Sequence, residues 1–233
     1  CGGKNPAVVM NDVEDLDQVA QHIVNGAFWN MGENCSASSR LIVHAEVKEK
    51  LLELIGVHLR TWKMGNPLDP ENKLGSLVSK AHFEKVKSYI DHAKAEKLNI
   101  VYGGNTEKNM FVEPTVVDGV SASDTLFKEE VFGPVLSVTT FHTIDEAIEL
   151  ANDSVYGLAG SVYTGSLRHA IKLSRAIRAG VVTVNCFGEG DITTPFGGYK
   201  ESGFGGRDKS IWAHDQYTEL KTIWIDISEP NLG

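Results

Sequence analysis

The sequence predicts an α/β fold in which a mainly parallel sheet has helices on both faces. Amphipathic helical segments alternate along the chain with short apolar segments, an order typical of parallel sheets that are covered on both sides. The 233 residues are 42% hydrophobic and 23% charged, which is enough apolar material for one large domain. We therefore expect one domain over residues 1–215 and a C-terminal arm over residues 216–233.

Five helices are predicted from apolar residues that recur at helical spacing. In the first, the apolar face is made by Leu16, Val19, Ala20, Ile23 and Ala27, and Asn11 or Asp15 is the candidate N-cap. The five predicted helices lie at residues 15–29, 45–61, 79–97, 145–152 and 167–177.

Strands are predicted where short runs are apolar or alternate in polarity. These runs lie at residues 41–43, 99–102, 111–117, 135–141, 161–163, 181–184 and 220–227. The last of them has no visible partner and belongs to the C-terminal arm. Residues 2–6 and the Gly-rich segment 186–208 are expected to be irregular.

Charge and cysteine usage argue against several classes of function. The formal net charge of -9 disfavours binding to nucleic acid or to an anionic membrane. No apolar run approaches the ~20 residues of a membrane span. The three cysteines, at positions 1, 35 and 186, show no metal-ligand spacing, so no metal site is expected. So few cysteines fit a reducing compartment, and we expect a cytoplasmic protein.

Cys35 is the strongest candidate nucleophile. It lies among small and polar residues between the first predicted helix and the strand at 41–43. Gly32 permits a tight, exposed backbone, and Arg40 supplies a positive charge that favours the reactive thiolate. An isolated cysteine is more often a small buried apolar residue. The eight histidines show no motif that identifies a base for cysteine-hydrolase chemistry.

Four motifs, in order along the chain, together resemble the NAD(P)-dependent aldehyde dehydrogenases. They are Gly2-Gly3-Lys4-x-Pro6, Asn30-x-Gly32-Glu33-x-Cys35, Glu130-x-Phe132-Gly133-Pro134 and Pro195-Phe196-Gly197-Gly198-Tyr199-Lys200. The resemblance covers essentially the whole chain and matches the C-terminal half of such an enzyme. It implies a Rossmann-like catalytic domain and a C-terminal oligomerisation strand, with a homodimer or homotetramer in the full-length enzyme.

The resemblance also implies which parts lie elsewhere. The nucleotide-binding domain precedes this region in family members and would bind most of the cofactor, NAD or NADP. The glutamate that acts as general base would stand immediately before Cys1.

Roles for individual residues follow from the same resemblance. Cys35 would attack the aldehyde carbonyl to give a thiohemiacetal and then a thioester, and its backbone N–H would stabilise the oxyanion by about 3–4 kcal/mol. Glu130 would bind the nicotinamide ribose and Phe132 would pack near the nicotinamide ring. His82, which replaces a commoner glutamine, and Lys85 would also contact the cofactor. The expected substrate-binding residues are Asn34, Asn185, Glu189, Asp191 and Phe196.

The substrate is suggested by two carboxylates in the expected entrance loop, Glu189 and Asp191. A carboxylate there would attract an ammonium group on a substrate derived from an aminoaldehyde. The region resembles most closely the gamma-glutamyl-gamma-aminobutyraldehyde dehydrogenases of putrescine degradation. The alternative is that both charges only solubilise the loop.

Two other functions remain open from the sequence. The chain could be a thiol esterase that uses Cys35 without NAD, which ester turnover would reveal. It could instead be a non-catalytic assembly module whose segment 220–227 pairs with another chain. Limiting iodoacetamide discriminates between these functions, because an activated Cys35 is labelled before Cys186.

Overall fold

The computed structural model describes residues 2–188 and 190–228, and a seven-stranded sheet lies at its centre. Its strands are β1 (Pro6–Val9), β2 (Arg40–His44), β3 (Asn99–Tyr102), β4 (Thr115–Asp118), β5 (Val135–Phe141), β6 (Ala159–Tyr163) and β7 (Val181–Val184). The spatial order is β7-β6-β1-β2-β5-β4-β3. All neighbouring pairs are parallel except β3 with β4, which is antiparallel. The α/β prediction is confirmed.

Six α-helices lie in the described part of the chain, and each begins at a side chain that caps the first turn. They are α1 (Leu16–Phe28), α2 (Ala45–Leu59), α3 (Lys80–Ala95), α4 (Thr125–Lys128), α5 (Ile144–Asn152) and α6 (Leu167–Ala176). Asp15, one of the two candidate N-caps of α1, accepts from the N–H of Gln18. Helices α1 and α2 pack on one face of the sheet, and α5 and α6 on the other.

Shorter elements complete the chain. Two-residue and three-residue strands lie at Lys63–Met64, Asn72–Leu74, Thr106–Glu107, Phe111–Val112, Tyr156–Gly157 and Tyr199–Lys200, and 3-10 turns at Trp29–Gly32, Lys108–Met110 and Ile211–Gln216. Within the described residues, none of the helices is both long enough and apolar enough to cross a membrane.

The expectation of an irregular start was wrong at its last residue, because Pro6 begins β1, an interior strand of the sheet. All four residues of β1 are buried, and the strand pairs with β2 on one side and β6 on the other. A strand buried on both faces shows no alternation of polarity, and a proline is tolerated as the first residue of a strand.

The predicted oligomerisation strand at 220–227 has no regular structure in the single chain, and its apolar side chains are exposed. A strand is formed only when its backbone groups pair with another strand, so this element stays a prediction.

Candidate active site

The candidate site lies at the amino edge of the sheet, defined as the edge where the parallel strands begin. Asn5 precedes β1, Cys35 lies in the loop before β2, and Phe132 lies in the loop before β5. Because these strands are parallel neighbours, their leading loops meet at one edge. We refer to residues 29–39 as the Cys35 loop and to residues 129–134 as the Glu130 loop.

The Cys35 loop is held against the Glu130 loop by a close glycine contact. Asn30, Met31 and Gly32 have φ values of 52°, 57° and 69°, a left-handed run that non-glycine residues adopt at a cost. A Cβ on Gly32 would stand 2.3 Å from the carbonyl oxygen of Gly133. Only glycine therefore fits at position 32.

Asn34 fixes the turn that carries the thiol. Its carbonyl oxygen accepts from the N–H of Ala37 at 3.0 Å, and its side-chain oxygen accepts from the N–H and the hydroxyl of Ser36 at 3.1 and 3.0 Å. The first bond sets the plane of the peptide between residues 34 and 35, and hence the direction of the Cys35 N–H. The thiol itself is reduced and half-buried. Binding of substrate by Asn34 stays a prediction.

Asn5 also supports the turn that carries Cys35, and Asn5 was not identified as a site residue from the sequence. The side chain is buried, and Nδ2 donates to the carbonyl oxygens of Cys35 and Ala37, both at 2.8 Å. Oδ1 accepts from the N–H of Ala159 at 3.0 Å. The only available signal was its position inside the Gly-Gly-Lys-x-Pro motif.

Gly3 brings Glu130 and Cys35 together. Its N–H donates to Oε1 of Glu130 at 2.8 Å, and a Cβ at this position would lie 2.4 Å from the carbonyl oxygen of Cys35. Gly2, with φ of 88°, leaves similar room, since its Cβ would lie 3.0 Å from Oε2 of Glu130. The Glu130 carboxylate is half-buried, and it lies in a cradle formed by the Gly3 N–H and by the space that a side chain at position 2 would fill.

Helix α3 contacts both loops through its first turns. Nε2 of His82 lies 2.6 Å from the carbonyl oxygen of Phe132 and 3.5 Å from Oε1 of Glu33. The same Glu33 oxygen accepts from the N–H of Val78 at 3.0 Å. One turn later, Lys85 donates to the carbonyl oxygen of Glu130 at 3.1 Å.

Two buried cations lie beneath the site. Lys4 and Arg40 are 2% and 1% exposed, and burial, aided by the Arg40 charge, lowers the pKa of Lys4 to about 7. Arg40 donates to the carbonyl oxygens of Lys4, Leu150 and Ala151 at 2.8–2.9 Å. Because the last two carbonyls end α5, the guanidinium caps that helix. Burial lowers the pKa of Arg40 to about 10, so it remains charged at neutral pH.

The Gly-rich loop that contains the fourth motif is also anchored at the amino edge. The hydroxyl of Ser202 donates to the carbonyl oxygen of Gly2 at 2.7 Å and accepts from the N–H of Gly157 at 3.0 Å. Lys200 donates to the carbonyl oxygens of Asn152 and Ser154, which is a structural role.

The other predicted substrate residues are not gathered at Cys35. Asn185 lies at the opposite edge, after β7, where its amide both accepts from and donates to the backbone of Thr164 at 2.9 Å. Asp191 is exposed, and Thr193 donates to it through its N–H and its hydroxyl, which lowers the pKa of Asp191. Phe196 is half-buried, 5.3 Å from the Lys209 ammonium. Glu189 lies outside the described residues. These roles stay predictions.

The structure thus brings Cys35, Glu130, Phe132, His82 and Lys85 to one edge. Among residues 2–188 and 190–228, no group of three or more His, Cys, Asp or Glu residues is arranged to hold a metal ion.

Comparison with known proteins agrees with this geometry. The aldehyde dehydrogenase family profile matches residues 1–223. Aminoacetaldehyde dehydrogenase from Pseudomonas aeruginosa is 78% identical over 228 residues, which are 98% of this chain and 46% of that protein. A crystal structure of indole-3-acetaldehyde dehydrogenase with NAD+ superimposes with a TM-score of 0.93 at 45% identity, over 97% of this chain and 46% of that one.

A gamma-glutamyl-gamma-aminobutyraldehyde dehydrogenase from Burkholderia cenocepacia is less similar in sequence than the aminoacetaldehyde dehydrogenase. It superimposes with a TM-score of 0.90 at 46% identity, over 94% of this chain and 45% of that one. The chain therefore spans about half the length of the relatives it matches. The gamma-glutamyl-gamma-aminobutyraldehyde dehydrogenase subclass, which the sequence favoured, is thus less similar to this chain than the aminoacetaldehyde dehydrogenase, whose named substrate is a shorter aminoaldehyde. With its motifs in order and its fold shared along nearly its whole length, the chain belongs to the aldehyde dehydrogenase family.

Proposed function

We propose that this chain is the catalytic part of an NAD(P)-dependent dehydrogenase that oxidises a short aminoaldehyde to a carboxylic acid. The observation that carries the proposal is that Gly3 contacts both Cys35 and Glu130. The N–H of Gly3 donates to the Glu130 carboxylate, and the Cys35 carbonyl lies in the space that a side chain on Gly3 would occupy. The substrate class is supported by the relative at 78% identity that is named aminoacetaldehyde dehydrogenase. The longer gamma-glutamyl-gamma-aminobutyraldehyde is a second candidate substrate.

The reaction begins at the sulfur of Cys35. The thiolate attacks the aldehyde carbon, a C–S bond forms, and the carbonyl oxygen becomes an oxyanion that the Cys35 N–H, directed by Asn34, stabilises. NAD(P)+, when bound, supplies the acceptor for the hydride that leaves the same carbon. The resulting thioester is hydrolysed by water, which breaks the C–S bond and returns the thiolate. The base for this water would be the glutamate expected before Cys1.

The residues present fit the ribose and nicotinamide of the cofactor. The cradle around Glu130 keeps its carboxylate at the amino edge beside Cys35, and a carboxylate accepts from two vicinal ribose hydroxyls. Lys85 holds the backbone at Glu130. The Phe132 ring is half-buried and supplies an apolar wall. Discrimination between NAD and NADP would belong to residues outside this chain.

The two alternative functions make different predictions in the full-length protein. Dehydrogenase activity requires that Cys35→Ala abolishes NAD(P)H formation from aminoacetaldehyde, while Cys186→Ala retains it. Ester hydrolysis that depends on Cys35 without any aldehyde oxidation would instead establish a thiol esterase. An unreactive Cys35, labelled by iodoacetamide no faster than Cys186, would support an assembly module.

Assembly and location are further parts of the proposal. The exposed apolar segment 220–227 is proposed to pair with another subunit in a homodimer or homotetramer, and the protein is proposed to be cytoplasmic. Sedimentation of the full-length protein tests the first point, since deletion of residues 220–227 should yield monomers.

A further inference from the structure

We propose that His82 is a positioning residue that holds the Cys35 loop and the Glu130 loop in register, so that thiol reactivity depends on it even when no cofactor is bound. This inference rests on the proposed function and assigns His82 a role different from direct contact with the cofactor. Three observations lead to it: the bonding of the imidazole, the backbone conformation of Phe132, and the packing between the two loops.

The imidazole is hydrogen-bonded to the Glu130 loop and contacts the Cys35 loop. Nε2 lies 2.6 Å from the carbonyl oxygen of Phe132, and a contact of that length to a carbonyl requires a proton on Nε2. Nε2 also lies 3.5 Å from Oε1 of Glu33 in the Cys35 loop. The His82 and Glu33 side chains are 15% and 9% exposed, so water competes weakly for these contacts.

Phe132 depends on this bond for its conformation. Its φ is +58°, which is unfavourable for a bulky non-glycine residue and persists only when the surroundings impose it. The His82 ring also packs edge-on against the Phe132 ring, with centroids 5.8 Å apart and planes at 70°. His82 therefore restrains both the carbonyl and the ring of Phe132.

A change in the backbone conformation of Phe132 would alter the position of the Cys35 thiol through Gly133. Gly133 is packed between Gly32 of the Cys35 loop and Val86 of α3, with its carbonyl in the space that a Cβ on Gly32 would occupy. If Phe132 relaxes to negative φ, the Gly133 carbonyl must turn, and the contact that seats Gly32 is lost. Because Gly32 stands three residues before Cys35, the orientation of the thiol follows.

The test uses the full-length enzyme with three substitutions. His82→Ala removes both contacts. His82→Gln keeps an N–H that can reach the Phe132 carbonyl. His92→Ala is the matched control, because His92 is also on α3 and pairs with a carboxylate, Asp124 at 3.3 Å, but contacts neither loop through it. The rate of Cys35 alkylation by iodoacetamide without cofactor, the KM for NAD(P)+ and the unfolding midpoint are measured for each.

We expect His82→Ala to slow cofactor-free alkylation of Cys35 about tenfold and to raise the KM for NAD(P)+, the scale of one lost partly buried hydrogen bond. His82→Gln should recover most of the alkylation rate, and His92→Ala should alter it by less than about twofold. Alkylation of His82→Ala at the wild-type rate, with or without a change in KM, would overturn the proposal. If His82→Ala does not fold, His82→Leu takes its place, and alkylation of Cys35 in that variant at the wild-type rate would overturn the proposal equally.

A failure of the proposed function would give a different result from a failure of the role proposed for His82. In that case the wild-type enzyme itself oxidises no aldehyde, whatever the alkylation rates of the variants.

Discussion

The side-chain amide of Asn5 donates to the carbonyl oxygen of Cys35 at 2.8 Å, across 30 residues of sequence. The residue immediately before the interior strand β1 thus fixes the loop that carries the candidate nucleophile. Asn5→Ala would remove two hydrogen bonds to the carbonyls of Cys35 and Ala37 and one from the N–H of Ala159, so we expect a loss of about 3 kcal/mol in the free energy of unfolding. Displacement of the thiol should lower kcat about 10–100-fold. Urea unfolding and initial rates check both numbers.

Asn11→Ala is the control, because this asparagine follows β1 but its amide bonds Glu46 on the surface. It should cost well under 1 kcal/mol. Asn5→Asp should be at least as harmful as Asn5→Ala, since a carboxylate would face two carbonyl oxygens. Full activity of either Asn5 variant would contradict the prediction.

Gly32→Ala tests the contact between the Cys35 loop and the Glu130 loop. The new methyl group would overlap the carbonyl oxygen of Gly133, so we expect kcat to fall about 100-fold. Gly119→Ala isolates the backbone cost, because Gly119 has nearly the same φ, 72°, with nothing within 4 Å of the added Cβ. That variant should lose only about 1 kcal/mol of stability and remain active. Equal effects of both substitutions on kcat would argue against the contact.

How far the sequence predicts the fold differs between helices and strands. Helices α1, α2 and α3 follow their predictions within two residues, because amphipathic spacing and capping side chains are local signals. Strand β1 escaped prediction because a strand buried on both faces resembles any short apolar run. The segment 111–117 was predicted to be extended, with Pro114 suggesting an edge or an irregular start. In the structure Glu113 and Pro114 separate two strands, since proline removes a ladder donor.

The site residues likewise differ in how far the sequence predicts them. Cys35 and Glu130 stand out by motif, whereas Asn5 matters through partners that lie 30, 32 and 154 residues away. No local pattern encodes such distant bonds. Asn185 shows the reverse case, because a motif position predicted substrate contact while the structure pairs its amide with the backbone of Thr164.

Lys4 makes stability depend on pH. Burial lowers its pKa from 10.5 to about 7 in the folded chain, so between these values the unfolded state binds more protons and stability rises with pH. Lys4→Met removes the buried ammonium, and its gain in stability over the wild type should be largest at or below about pH 7 and shrink toward about pH 10. Urea midpoints of both proteins across this range measure the difference. A gain that is independent of pH would refute the assignment.

Asp191→Ala tests the substrate class. Because the hydrogen bonds from Thr193 lower the pKa of Asp191, the carboxylate is ionised through the neutral range and can attract an ammonium group. We expect the KM for aminoacetaldehyde to rise about threefold relative to that for propanal, and the effect to weaken at high salt.

Asp226→Ala is the matched control for Asp191→Ala. Asp226 is likewise exposed and accepts from the N–H and the hydroxyl of the residue two positions later, Ser228, but it lies in the C-terminal arm. It should leave the ratio of the two KM values unchanged. Equal changes in both KM values after Asp191→Ala would show that the carboxylate only solubilises the loop.

The position of β1 in the middle of the sheet has a consequence for how the protein is made. Ala7 pairs with Ser161, and Gly2 receives a hydrogen bond from Ser202, 200 residues further on. At ribosomal rates of about 5–20 residues per second, the first strand waits on the order of 10 s or more for its neighbour β6. During that time β1 has its neighbour β2 on one side, and the side that pairs with β6 is open. β1 is therefore enclosed on both sides only after about 150 further residues have been made, and chaperone dependence should concentrate there.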